Sequence, residues 1–155
     1  MAKPKFKRLI RETYLQMIKN SPKTRMFRSL FVINEKGKKI DTLKNGDVAC
    51  AFFVSSVLKI FSLIDWPHAT VDSTVRDMLK NGWRQTKKLE LGNILLWEKN
   101  KNGRRHLGFY IGNKKAISNS SKKGFPIIHH ITYGKNKDNQ PKRRIEQIFT
   151  HPDIK

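Results

Sequence analysis

The sequence contains a single cysteine among 155 residues. That excludes an internal disulfide framework and a cysteine-rich zinc site. Acidic residues are scarce: 12 Asp and Glu stand against 33 Lys and Arg, a net charge of +21. Such a field repels cationic partners and attracts polyanions, namely nucleic acid, anionic lipid or an acidic cell-wall polymer. No apolar run reaches the roughly 20 residues that a membrane-spanning helix needs. The longest, Val48–Ile64 (VACAFFVSSVLKIFSLI), is shorter and is interrupted by Ser55, Ser56 and Lys59. The first residues, Met-Ala-Lys-Pro-Lys-Phe-Lys-Arg, open no apolar signal-peptide core. The expectation is a protein with no transmembrane segment, cytoplasmic or released without a recognisable signal peptide. Walker spacing is also missing around Gly37-Lys38, which excludes a phosphate-binding loop there.

The remaining composition is that of a folded chain. Hydrophobic residues make up 37% and aromatics 10%, too much apolar content for a disordered polymer. The length suits one domain, residues 1–155, with a core of its own, and a monomer is expected. Apolar residues Phe6, Leu9, Ile10, Tyr14, Met17 and Ile18 recur at helical spacing and predict an amphipathic helix over Phe6–Lys19, ended by Ser21-Pro22. Arg28–Asn34 reads as a short strand or buried extended segment, and the stretch from Lys39 to Asn45-Gly46 as a loop. A central buried helix is expected from Ala49 to about Leu63, broken by Asp65-Trp66-Pro67-His68. A further helix follows over Asp72–Lys80, with Asn81-Gly82 at its C-terminus.

The second half changes period. Asn93–Trp97, His106–Ile111, Ala116–Ser118, Ile127–Tyr133 and Ile145–Thr150 read as strands, joined by turns such as Gly112-Asn113-Lys114. Helices first and a strand meander after predict an α+β fold, the helices packed on an antiparallel sheet. Gly134–Arg144 is polar and basic and reads as a mobile loop.

The chemistry concentrates on Cys50. It stands at the head of the apolar run, where a helix N-terminus favours an anion and lowers a thiol's pKa. A histidine from a later strand, His106, can pair with the thiol, act as base and then protonate a leaving group. The amide N–H of Cys50 would face a developing oxyanion.

Three segments together resemble the NlpC-type branch of the papain-like cell-wall peptidases. Those enzymes open a central helix with an Asp-Cys-Ser-like motif, and this chain has Ala49-Cys50-Ala51-Phe52-Phe53-Val54. Their Pro-Gly-Asp-like strand start is similar to Leu91-Gly92-Asn93-Ile94-Leu95-Leu96-Trp97. Their catalytic histidine heads a His-Val-Gly-Ile-Tyr-Ile-Gly strand, close to His106-Leu107-Gly108-Phe109-Tyr110-Ile111-Gly112. The resemblance spans Gly46–Ser120. The chain departs from the pattern at Ala49 and Ala51, which flank the cysteine, and at Asn93. Asp47 is the acid left to cap the helix.

What the resemblance implies is a papain-like domain cleaving an amide or isopeptide bond in a peptidoglycan stem peptide, with Cys50 as nucleophile and His106 as base. Neither cofactor nor metal is implied. The third residue, which orients the imidazole, varies in that family. An ungapped match from His106 lands on Ser118. Asn119 has the better acceptor chemistry and would be brought inward by a one-residue bulge. His130, on the next strand, is the other alternative. Asn119 is the first choice, then His130, then Ser118. His129 and His130 face opposite ways on a strand and make a poor metal pair. His68 and His151, beside prolines, are expected in surface turns. Two further functions stay open: an acyltransferase or amidase with an intracellular substrate, and a non-enzymatic polyanion-binding module.

Overall fold

The structure is a computed structural model and describes residue 2 and residues 5–155. Three helices pack on an antiparallel sheet, an α+β architecture. The helices are α1 (Ile10–Asn20), α2 (Cys50–Ile60) and α3 (Val71–Lys80). A small ribbon pairs β1 (Phe31–Ile33) with β2 (Lys39–Asp41). The main sheet contains β3 (Arg84–Thr86), β4 (Ile94–Trp97), β5 (His106–Gly112), β6 (Lys115–Ser120), β7 (Phe125–His130) and β8 (Ile145–Thr150), in the spatial order β3-β8-β4-β5-β6-β7. No helix among the described residues is long and apolar enough to cross a membrane.

The core forms where α2 meets the sheet. Phe53, Val54, Val57 and Leu58 of α2 are buried with Ile94, Leu96, Leu107, Phe109 and Ile117 of β4–β6. Alternation explains the second layer: Leu95, Trp97 and Ala116 point to the opposite face and pack with Tyr133, Ile145 and Ile148. The α1 helix docks through Tyr14, whose hydroxyl donates to the Gly92 carbonyl at 2.7 Å.

Several elements depart from the sequence expectations. The first helix starts at Ile10: Phe6 and Leu9 continue the apolar spacing but stay exposed, and no side chain caps the helix. The segment around β1 is exposed, not buried, and pairs with Lys39–Asp41, expected to be loop. Arg84–Thr86 adds an unforeseen edge strand against β8. The α2 helix ends at Ile60, followed by Ser62 in the left-handed region (φ 57°). Gly134–Arg144 is a closed turn, with Lys135 bridging Pro141 and Arg143 anchored to the carbonyls of Glu98 and Arg104.

Neither His68 nor His151 is a surface turn residue. His151 is buried; its Nε2 contacts the Asn81 carbonyl at 2.9 Å and its Nδ1 accepts from the Asp153 amide at 3.1 Å. His68 Nε2 lies 2.6 Å from Asp77 Oδ2. Burial pushes Asp77 up, but the hydrogen bonds from His68, Asp65 and Trp66 outweigh it and hold the carboxyl below its ordinary value. Of the tryptophans, Trp83 and Trp97 are core residues, while Trp66 is 68% exposed.

Candidate active site

The loop entering α2 is held by polar anchors. Asp41 accepts backbone N–H bonds from Leu30, Leu43 and Asn45 at 2.8–3.0 Å. Lys44, Asn45 and Gly46 then run through the left-handed region, with φ of 50°, 53° and 92°. Gly46 is required: a Cβ there would stand 2.5 Å from the Gly124 carbonyl oxygen. The Gly46 carbonyl in turn accepts from Asn119 Nδ2 at 2.8 Å. The turn between β6 and β7 and the end of β6 thus clamp the loop that delivers Cys50.

Cys50 is the first residue of α2, and Ala49 caps the helix with no side-chain bond. Asp47 does not serve as the cap; its carboxylate lies 3.9 Å from Arg104. Burial pushes the Cys50 thiol above its ordinary pKa. The amides of Leu107, Ala51 and Cys50 itself, and the charge of Arg143, pull the other way and lose. The lowering expected of a helix N-terminus is therefore outweighed, because burial penalises the charged form more than the helix end rewards it.

His106 begins β5, opposite Trp97. Its Nε2 lies 2.9 Å from Ser118 Oγ. Ser118 Oγ also contacts His129 Nε2 at 2.7 Å and the Tyr133 hydroxyl at 2.9 Å. The proton positions in this cluster follow from its one fixed end. His129 Nδ1 faces the carbonyl of His130 at 2.8 Å, an acceptor only, so Nδ1 carries the proton and Nε2 is a lone pair. Ser118 must donate its hydroxyl proton to that lone pair, and its oxygen then accepts from both His106 Nε2–H and Tyr133 O–H. His106 is thereby assigned the Nε2–H tautomer, with Nδ1 free as a base.

Burial keeps His106 neutral, with Arg143 and His129 adding to the effect, and its pKa is pushed down to about 3. Burial likewise lowers His129, and raises Tyr133 to about 12. Trp97 forms the floor of the cluster: its ring lies 5.7 Å from that of His106, 5.5 Å from His129 and 5.7 Å from Tyr133. The His129 and Tyr133 rings stack at 4.0 Å.

The structure brings Ser118 to His106, not Asn119 or His130. Gly108 pairs with Ser118, so Ser118 shares the face of His106 and Asn119 points to the other side, into the Gly46 clamp. A bulge does occur in this hairpin, between Tyr110 and Gly112, and it acts the other way: it shifts the register set by the Gly112–Lys115 pair by one residue, so that Ser118 and not Asn119 comes opposite Gly108. His130 is exposed and bonds Thr132. His129, Tyr133 and Arg143 are the cluster's additions. The one sequence signal for His129 was strand parity, because His129 lies two residues from Ile127, the partner of Ser118.

Cys50, His106, Ser118, Tyr133 and Arg143 line one cavity of about 900 Å³. Chemically, this is a thiol, an imidazole with one free nitrogen, a relay that fixes the imidazole, and a cation. Among the described residues, no group of three or more His, Cys, Asp or Glu is arranged to hold a metal ion. No family model matches this chain, and no curated protein is significantly similar to it.

Proposed function

We propose that the protein is a cysteine-dependent acyl hydrolase of papain-like, NlpC-type arrangement, with Cys50 as nucleophile and His106 as base. The observation that carries this reading is the shared cavity: Cys50 at the head of α2 and His106 at the head of β5 open onto it, and Ser118 holds the imidazole. His106 Nδ1 takes the thiol proton as Sγ attacks an amide carbonyl. The oxyanion is met by the Cys50 amide, which, like the other first N–H groups of a helix, has no partner within it and turns from the thiol to the oxyanion. The proton passes from Nδ1 to the leaving amine, and a thioester remains on Cys50. Water, activated by the same Nδ1, then releases the acid and restores the thiol. Ser118 touches neither reacting atom in this scheme; it is a positioning residue, backed by His129.

The resemblance makes a peptidoglycan stem peptide the first substrate to assay, with other peptides and acyl donors beside it. Cys50→Ala and His106→Ala each abolish turnover on this reading, and full activity in Cys50→Ala overturns it. The net charge of +21 favours a second reading, a polyanion-binding module. That reading predicts nucleic-acid affinity that falls steeply with salt and is indifferent to Cys50→Ala.

A further inference from the structure

We infer that the cavity over Cys50 binds an anionic group of its ligand, a carboxylate or a phosphate, through Arg143; the inference rests on the reading of Cys50 and His106 given above. Arg143 lies outside the Gly46–Ser120 segment that suggested a peptidase, in the turn that leads to β8.

Its setting differs from that of the other cavity arginines. Arg104 lies 3.9 Å from Asp47, and Arg105 lies 3.9 Å from Asp72 and 3.4 Å from Glu146, so both are matched by carboxylates. Arg143 is half-buried, and among the described residues no carboxylate comes within 4.0 Å of it. It is held by neutral groups instead: Nε donates to the Glu98 carbonyl at 3.0 Å and Nη2 to the Arg104 carbonyl at 2.7 Å. These two bonds fix the guanidinium plane and leave three of its five N–H donors uncommitted.

A partly desolvated cation with no ion pair within 4.0 Å is costly; the Glu98 carboxylate acts on it only from farther off and accepts from the Arg144 amide, and the fold keeps the guanidinium beside the thiol and the Tyr133 hydroxyl. An anion seated there regains the missing ion pair in the bidentate geometry that guanidinium offers. It also screens the charge that helps hold His106 neutral, so the base becomes stronger once the ligand is in place.

Binding is measured calorimetrically on the full chain carrying Cys50→Ala, which removes turnover. The probes are N-acetylglycine, its uncharged amide N-acetylglycinamide, and inorganic phosphate. One charge-assisted hydrogen bond to a carboxylate amounts to a preference of about tenfold or more over the amide. Arg143→Gln abolishes that preference and Arg143→Lys retains part of it, with melting curves showing that both variants fold. Arg104→Gln removes the same unit charge from the rim and leaves the preference within about twofold, because that guanidinium is exposed to solvent and already faces Asp47. Whether phosphate or carboxylate binds the tighter identifies the source of the anion. Equal binding of acid and amide overturns the inference. So does a preference that survives Arg143→Gln, or one that Arg104→Gln reduces as much. Because no turnover is involved, an inactive wild-type protein with an intact acid preference refutes the hydrolase and leaves the anion site standing.

Discussion

His129→Phe should release the tautomer bias of His106 without touching either residue proposed to react. In the native cluster Ser118 donates to His129 Nε2 and accepts from His106 and Tyr133. Turning His106 to its Nδ1–H form would require Ser118 to donate to His106 instead, leaving the His129 lone pair unsatisfied. An unsatisfied acceptor costs about 1–3 kcal/mol when fully buried, so at the half-buried His129 the low end of that range applies and the native tautomer is favoured by about 5-fold. Phenylalanine retains the stacking on Tyr133 but removes the acceptor. The Ser118 hydroxyl can then donate to His106 Nε2, which puts the His106 proton on Nδ1 and blocks the base nitrogen, or to the Tyr133 oxygen, which keeps the native tautomer, so the bias toward Nε2–H is lost. Activity falls by about half as the two tautomers become comparably populated, while stability falls by about 1 kcal/mol for one neutral hydrogen bond. His129→Gln, whose amide oxygen can accept from Ser118, rescues both. A long-range proton–nitrogen NMR spectrum of the histidine rings reads the tautomer directly, with no substrate. A wild-type His106 protonated on Nδ1, or an unchanged tautomer in His129→Phe, refutes the reasoning.

Cys50 should alkylate slowly with iodoacetamide at pH 7 and faster as pH rises past 9, since burial raises its pKa from that reference. Arg143→Gln should move the profile further up, and a rate already at plateau by pH 7 contradicts this. Stability should decline as pH falls from about 6.5, because the unfolded chain takes a proton on His106 that the folded site, with its pKa near 3, refuses. The folded pKa is the depressed one for a base, so this contribution is complete above about 6.5 and is lost on acidification. The loss should reach a few kcal/mol at most. Denaturant melts of wild type and His106→Gln between pH 6.5 and 4.5, above the carboxylate range, should differ in slope; parallel curves contradict the assignment. Gly108→Ala should disrupt the site, since its Cβ would stand 2.7 Å from both the Ile117 carbonyl and Ser118 Cβ and 2.9 Å from the Trp97 ring. Overpacking of this kind costs about 1–3 kcal/mol, and a melting temperature equal to wild type would show that the sheet relaxes around it.

The strands of the main sheet were legible where hydrophobic alternation and a turn signal coincide. The β5–β6 hairpin is the clear case: Asn113 and Lys114 take the left-handed conformation that two-residue turns require. Strands β2 and β3 were not legible, because Lys39–Asp41 and Arg84–Thr86 are short and polar and exist through their partners. The α1 boundary failed for a related reason: Phe6 and Leu9 match the helical period, but nothing packs against them. At the site, Cys50 and His106 were readable from their place at the heads of apolar elements. The third residue was not. Amide chemistry favoured Asn119, but the register Gly108–Ser118 decides which side chain faces the imidazole, and a slip of one residue exchanges the faces. Arg143 is one of 33 cations, and only its tertiary surroundings distinguish it.

Helix position and burial act on Cys50 in opposite senses, and the outcome decides what the rest of the cluster is for. A helix N-terminus stabilises a charge by at most about 2 kcal/mol in a favourable, partly buried site. Taking a charge out of water costs several kcal/mol. With α2 lacking both an acid in its first turn and a side-chain cap, nothing else organises this helix end. On the proposed mechanism the resting pair is therefore neutral thiol and neutral imidazole. An imidazolium has two N–H groups and no tautomer to choose, so a preformed ion pair would gain no base nitrogen from Ser118 and His129. A neutral pair depends on them, because only the Nε2–H form leaves Nδ1 able to take the thiol proton. The Ser118–His129–Tyr133 relay, buried at Ser118 and half-buried at its other two members, the raised thiol and the lowered imidazole thus form one consistent arrangement. Each is what a thiol activated during attack requires, and none is needed by a thiolate already formed.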